Sequence, residues 1–388
     1  MLYICFMKKN EDTNPFLISG YAGPNLFCDR EKETVQLVKN AVNGINSTLL
    51  SIRRMGKTGL LHHTIGRIRN QKKGIGIYAD IFDTENLRDF TNRLASAMLQ
   101  VFPEKHPFWK KAMELLKQLH PIISYDEMNG QPQVTLDYSQ PKQYEYSLQS
   151  ILSFLEKQNK LIVVAIDEFQ QITQYPEKNM EAILRTQIQQ LKNVRFIFSG
   201  SSPHMLSEMF HHAKRPFFSS TQSIDLNEIN EQEYSAFIET KFRECGRTIS
   251  TQSIEYILDF TRRHTYYTQA LCNRVFADGG EDIQLEQARL AANTLLKENE
   301  TIFFQYRNML TSNQWSMLKA IAKEGNMYQP NAKHIVNKYR MGPSSVIQRS
   351  IEALLSKEMI YSKETKEGKY YCVYDCFLAR WLEHLSNI

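Results

Sequence analysis

Apolar and polar positions follow two rhythms along this chain, and the change between them divides it into parts. After a lead-in rich in Asn, Gly and Pro (residues 1–24), "DREKETVQLVKNAVN" places Val35, Leu37, Val38, Ala41 and Val42 at helical spacing, with Asp29 as the expected N-cap. "STLLSI" then reads as a strand and "GKTGLLHHTIGRIR" as a helix, so a Gly-Lys-Thr triplet sits at a strand-to-helix turn. "GIGIYADIF" (74–82) reads as a second buried strand, followed by the helix "LRDFTNRLASAMLQVF". Residues 103–145 form an insertion with a hairpin expected around Met128-Asn129-Gly130, and "YEYSLQSILSFLEKQ" is helical. "KLIVVAIDEFQQI" is a continuous apolar run ending in two acids, the pattern of a buried parallel strand with carboxylates at its C-terminal edge. The helix "MEAILRTQIQQLK", the strand "VRFIFSGSS" and a short strand "SIDL" complete a unit over 25–226. The fold class this implies is α/β, a parallel sheet with helices on both faces. From Asn227 to about Glu300 the pattern is helical without strands, an all-α lid expected over 227–305. Over 306–388, "SNQWSMLKAIAKEG", "AKHIVNKYR", a Met-Gly-Pro turn, "SSVIQRSIEALLSKEMI" and two strands around "TKEGK" spell three helices and a hairpin, a winged helix-turn-helix.

Composition adds limits. At 388 residues the chain is long enough for two or three domains, and its 42% apolar and 23% charged content is that of an ordinary globular protein. Apolar runs such as Leu161 to Ile166 are far shorter than the roughly 20 residues of a membrane span, and "MLYICFMKKN" carries its charges after its apolar patch, the reverse of a secretory signal. An intracellular, cytoplasmic protein without a membrane partner is expected. The six cysteines (Cys5, Cys28, Cys245, Cys272, Cys372, Cys376) lack a zinc spacing, so reduced buried thiols and no structural metal are expected. Residues 306–388 hold 12 Lys and Arg against 7 Asp and Glu, a net of +5 that equals the net charge of the whole chain.

The chemistry starts at "SIRRMGKT". The pattern G-x-x-x-x-G-K-[ST] needs glycine where the chain turns and where backbone N–H groups crowd a phosphate; Gly56, Lys57 and Thr58 fit, and Ser51 stands at the first glycine position. Nucleotide hydrolysis further needs Mg²⁺ held by the loop hydroxyl and a strand-end acid, and a base to orient water. Thr58 and Asp167 are the expected metal ligands, Lys57 the phosphate grip and Glu168 the base. The GTPase signature N-K-x-D is missing, because Asn337-Lys338-Tyr339-Arg340 lacks the Asp, so ATP is the expected nucleotide.

Together "FCDREKE", "SIRRMGKT", "VVAIDEFQ", "FIFSGSS" and "RRHTYYTQALC" resemble the prokaryotic AAA-type ATPases called the archaeal ATPase family, near the STAND signalling NTPases, over residues 15–300. The resemblance implies that Arg30 and Glu31 help hold the nucleotide, that Arg53, Arg54, Met55, Gly56, Lys57, Thr58 and Gly59 form the loop around it, and that His264 belongs to the lid contact. It places the polar γ-phosphate sensor on Ser199, with Ser201 as alternate, and an arginine finger on Arg215, which would imply a homo-oligomer. Two positions depart from the family: Ser51, and a lid motif Arg263-His264-Thr265-Tyr266-Tyr267 where the family usually has Gly-His-Pro-Tyr-Tyr. Bland alternatives stay open: surface or loop charges for Arg30, Arg53, Arg54 and Arg215, helix caps for Ser199 and Ser201, lid core for Tyr266 and Tyr267.

In the last helix of the winged segment Ile347, Ile351, Leu354 and Leu355 are the expected buried face, with Ser344 as cap and Ser345, Gln348, Arg349 and Glu352 outward. Arg349 with Lys366 and Lys369 of the wing suits duplex DNA, while the interspersed glutamates suit a protein partner. The expected function is an ATP-hydrolysing molecular switch acting on DNA or protein through residues 306–388. The alternative is a non-catalytic, nucleotide-bound DNA-binding regulator.

Overall fold

The computed structural model describes residues 13–102, 108–119, 121–138 and 141–385. The described residues form two compact units, one of residues 20–227 and the other of residues 228–385 together with residues 13–19.

In the first unit the elements run α1 (Glu31–Val42), β1 (Ser47–Leu50), α2 (Lys57–Asn70), β2 (Ile75–Asp80), α3 (Leu87–Val101), α4 (Trp109–Gln118), β3 (Ile122–Tyr125), β4 (Pro132–Thr135), α5 (Pro141–Glu156), β5 (Ile162–Asp167), α6 (Met180–Ile188), β6 (Val194–Gly200), α7 (Pro203–His211) and β7 (Gln222–Asp225). β2, β5, β6, β1 and β7 lie in that order in one sheet, every pair parallel. β5 explains why its run is continuously apolar: Ile162, Val164 and Ile166 enter one core, while Val163 and Ala165 enter the other. Strands buried on both faces cannot alternate polar with apolar residues.

Three local expectations need correction, and one is extended. β2 is an edge strand with an exposed terminal Asp80, because a strand with one neighbour keeps part of its surface. On α1, Val35 and Val42 face solvent, and Thr34 and Asn40 are buried in their stead, Asn40 because its amide donates to Ser47 Oγ at 2.9 Å. The N-cap of α1 is Arg30 in the left-handed region at φ 65°, without a side-chain cap, so Asp29 does not hold that place. The insertion contains α4 as well as the expected hairpin, whose turn carries Gly130 at φ 66°.

The second unit comprises α8 (Glu231–Glu244), β8 (Thr248–Ile249), α9 (Thr251–Phe260), α10 (Thr265–Asp278), β9 (Asp282–Ile283), α11 (Leu285–Met309), α12 (Ser312–Glu324), α13 (Lys333–Lys338), α14 (Ser344–Ser356), β10 (Ile360–Thr365), β11 (Gly368–Val373) and α15 (Cys376–His384). A two-residue parallel ladder, β8 with β9, interrupts the expected all-helical lid. The described part of the lead-in is an anchor: Phe16 is buried against Phe237, Phe242 and Phe276, Asn14 Nδ2 donates to Asn273 O at 2.8 Å, and Asn273 Nδ2 donates to Phe16 O at 2.7 Å. Residues 1–12 of the expected lead-in lie outside the described residues.

α11 runs unbroken across the boundary drawn at 305/306. The chain turns only after Met309, where Thr311 and Gln314 form a capping box that starts α12. The winged segment has a fourth helix, α15, whose Trp381 packs 5.4 Å from Phe303, 5.3 Å from Phe304 and 6.3 Å from Trp315. α15 is also tied to the lid by Arg380, which donates to Phe260 O at 2.8 Å, and by the Arg262–Glu383 pair at 2.7 Å.

Candidate functional site

β1 delivers the chain to the loop Ser51–Gly56, which turns twice through left-handed backbone, at Arg54 (φ 63°) and at Gly56 (φ 89°). Gly56 adopts that geometry without Cβ strain and opens α2. Ser51, at the first glycine position, is buried, and its hydroxyl donates to Ile52 O at 3.0 Å. A small side chain that bonds within the loop therefore serves where glycine is usual.

The loop wraps around the Lys57 ammonium, which donates to Ile52 O at 2.8 Å and to Ser51 O at 3.4 Å. Burial pushes Lys57 down to about 8; Glu168 and Asp167 pull it upward and Arg53 adds to the depression. A desolvated cation whose hydrogen bonds go to carbonyl oxygens is a strong attractor for a phosphate. Met55 is packed into the core shared with α1 and α2, whereas Arg53 and Arg54 are exposed. Gly59 faces Phe27, whose ring would lie 3.1 Å from an added Cβ.

Arg30 is almost fully buried, and its guanidinium reaches Asn227 O at 2.6 Å, Glu33 at 3.2 Å and Met55 O at 3.4 Å. It braces the loop backbone rather than standing as a surface charge. Glu31 is exposed and pairs with Arg67 of α2.

At the neighbouring strand end, Thr58 Oγ1 donates to Asp167 Oδ2 at 2.6 Å, and Tyr78 Oη donates to the same oxygen at 3.2 Å. Hydroxyl and carboxylate oxygens are the hard donors Mg²⁺ prefers, and these two converge on one point, so the residues fit that ion. Asp80, in register with Asp167, has its carboxyl pushed up by burial and by the nearby Asp167 and Glu168. Burial and the facing Asp167 also drive the Tyr78 hydroxyl upward.

Glu168 follows in left-handed backbone, φ 56°, uncommon for a residue with a side chain. Its Oε2 accepts from Gln170 Nε2 at 2.6 Å, from Ser201 Oγ at 2.6 Å and from Ser201 N at 3.1 Å. Ser201 is thus a partner of the acid rather than a helix cap. Ser199 Oγ, fully buried at the end of β6, has no hydrogen-bond partner among the described residues. A buried hydroxyl left unpaired costs free energy.

Arg215 is engaged within its own chain, 2.5 Å from Glu181 and 3.7 Å from Glu208. His264 lies in the second unit at the start of α10, its ring 4.8 Å from that of Tyr267, which is buried against Phe377 at 4.9 Å. Tyr267 is thereby core of its unit.

On α14, Ile347, Ile351 and Leu354 are buried as expected and Leu355 is half-buried; Ser345, Gln348, Arg349 and Glu352 are exposed. Pro343 takes the N-cap position, and the Ser344 hydroxyl bonds instead to Asn331 at 3.0 Å. Lys366 and Lys369 are exposed on the wing.

Tyr78 and Gln170 belong to the site and were missed by motif reading. The period of two in β2 and its place beside β5 carry a trace of Tyr78; Gln170 follows the acid pair in "DEFQ" and carries no chemical signature of its own.

A parallel sheet that presents a lysine-bearing glycine loop, an acid pair and a buried serine at the ends of β1, β5 and β6 defines the class: a P-loop nucleoside triphosphatase fold. Residues 27–267 match the ATPase domain predominantly from Archaea, and residues 301–384 match a probable winged helix domain. The chain belongs to that family of ATPases and carries a C-terminal winged helix domain. Among solved structures it is similar to a Walker-type ATPase of Pyrococcus abyssi, at 17% identity and TM-score 0.65 over 95% of this chain and 99% of that one. It is also similar to the ORC2 protein of Aeropyrum pernix in its ADPNP–ADP complexes, at 16% identity and TM-score 0.60 over 96% of each chain. Comparison with curated proteins gives no match. Among the described residues no helix is long and apolar enough to cross a membrane.

Proposed function

We propose that this protein is an ATP-hydrolysing molecular switch of the AAA type, close to the STAND NTPases, whose nucleotide state controls the lid and the winged helix. The convergence of Lys57, Thr58, Asp167, Glu168 and Ser199 carries the reading.

In this reading the Lys57 ammonium exchanges the carbonyls of Ser51 and Ile52 for the β- and γ-phosphates of ATP. Thr58 and Asp167 would hold Mg²⁺, which when bound neutralises charge on the phosphates. Glu168 accepts the proton of the attacking water, and the unpaired Ser199 hydroxyl donates to the γ-phosphate. Met55, Gly56 and Gly59 shape the loop while Arg30 and Glu31 support it. Arg53 and Arg54 lie at its exposed rim, where they add positive field, and His264 belongs to the lid. Arg215 reaches a neighbouring γ-phosphate only if the chain assembles and the Glu181 pair opens.

The second unit supports the output half. α11 is common to lid and winged segment, and Trp381, Arg380 and the Arg262–Glu383 pair bind the two together. A displaced lid therefore carries the winged helix with it, and presents Arg349, Lys366 and Lys369 to duplex DNA or docks a protein. The non-catalytic regulator has less support, because it leaves the acid pair at the phosphate loop unexplained.

Glu168→Gln tests the catalytic half. The variant is expected to bind ATP with wild-type affinity and to retain it unhydrolysed, whereas Lys57→Ala loses binding, both measured with radiolabelled ATP. Wild-type turnover by Glu168→Gln would remove Glu168 from the role of base.

A further inference from the structure

Three donors crowd one oxygen of Glu168, and one of them, Gln170 Nε2, also donates to Ser201 Oγ at 3.3 Å. We infer that Gln170 is a positioning residue that holds the Glu168 carboxylate for proton abstraction, an inference that rests on Glu168 being the general base. All three hydrogen bonds, from Gln170 Nε2, Ser201 Oγ and Ser201 N, end on Oε2. Oε1 is thereby the oxygen left to receive a proton, and the carboxylate plane is set by its partners. Glu168 itself sits in left-handed backbone, φ 56°, uncommon for a residue with a side chain.

The orientation of the Gln170 amide follows from chemistry. An ionised carboxylate only accepts, so the NH₂ end must face Glu168. The other end, Oε1, is then buried and without a hydrogen-bond partner among the described residues. A side chain serving packing alone would be better replaced by an apolar one of the same shape, since an unpaired buried carbonyl is unfavourable. Its place is further secured by Gly200: a Cβ there would overlap Gln170 Oε1. β6 thus ends in a glycine that leaves room for the amide behind the base.

Gln170→Leu removes both amide groups at similar size, and Gly200→Ala displaces the amide while leaving it in the sequence. Both variants are expected to show kcat reduced about tenfold or more, a part of the roughly 10²–10⁴ that a general base supplies. KM for ATP and the affinity for a non-hydrolysable ATP analogue stay unchanged. In a Glu168→Gln background, Gln170→Leu causes no further loss, because two residues acting as one unit are not additive. Wild-type or raised kcat in both variants, or an undiminished further loss in the Glu168→Gln background, overturns the inference. A loss confined to KM or matched by a lowered melting temperature overturns it as well. If Glu168→Gln alone turns over at the wild-type rate, the assignment of the base has failed instead; if Glu168→Gln is inactive and Gln170→Leu is normal, only the positioning role has failed.

Discussion

At the scale of single residues the site is governed by what each charge is already bound to. Lys57 is bonded to the carbonyl of Ile52 and Thr58 to Asp167, and both partners are exchangeable, so a nucleotide would replace internal bonds by charge-assisted ones. Arg215 is placed differently. Its ion pair with Glu181 is half-buried, and burial pushes the Glu181 carboxyl upward while Arg215 draws it down. Arg215→Ala is therefore expected to leave turnover per chain unchanged and independent of protein concentration, and to lower stability by about 1 kcal/mol, read by thermal or urea unfolding. A fall in turnover at intact nucleotide affinity, with turnover rising at higher protein concentration, would instead establish Arg215 as a finger acting between chains. Residue identity was legible wherever the chemistry is local, as in Gly56-Lys57-Thr58 or Asp167-Glu168. It was not legible for Tyr78, which meets its acid only because the fold sets β2 beside β5, or for Gln170, which lies two residues after Glu168 but turns back onto it only through the local backbone.

At the scale of elements, apolar rhythm located the sheet strands and most helices because burial on two faces or on one stripe leaves a periodic record. α15 escaped notice because its run is short and follows the hairpin directly, yet together with α11 it fastens the winged segment to the lid. Its first residue supplies a pH test. Cys376, buried with its thiol donating to Phe260 O at 3.5 Å, is pushed up to about 12 by burial, against which Arg262 and Arg380 act. A thiol whose folded value is raised contributes stability that is complete below the unfolded value near 9 and lost as pH rises toward 12. The wild type is accordingly expected to lose stability faster than Cys376→Ala between pH 9 and 12, measured by urea unfolding. At pH 8 the native thiol should resist iodoacetamide while the half-buried Cys245 is alkylated, as read by mass spectrometry; equal labelling of both would refute the buried-thiol account.

At the scale of the whole molecule the open matter is what the second unit meets. A net +5 over residues 306–388 was visible in composition, and the structure puts Arg349, Lys366 and Lys369 among its exposed residues together with Glu352 and Glu367. If these three cations meet phosphates of duplex DNA, binding should weaken with salt at a log–log slope near about −3. Replacing Lys366 should flatten the slope by about one unit for every sequence. Replacing Arg349 should also remove roughly 1–3 kcal/mol of sequence discrimination if it reads a base edge. Fluorescence anisotropy with ATP or ADP present decides it; no salt-dependent binding in either state would assign the surface to a protein partner.

The sequence by itself determined the catalytic vocabulary and the kind of fold. A phosphate loop needs glycine and lysine at fixed spacing, a strand-end acid needs an apolar run before it, and both constraints act within a few neighbouring residues. The tertiary structure alone decided partnership. It made β2 an edge, turned the lead-in into an anchor through Phe16, carried α11 past the expected boundary, gave Arg30 to the loop backbone, and set Gln170 and Ser201 on one oxygen of Glu168. Most of those outcomes depend on residues far apart in the chain meeting in space, as Ser201 meets Glu168; Gln170 lies two residues from Glu168, and its contact depends on how the chain turns after the acid pair.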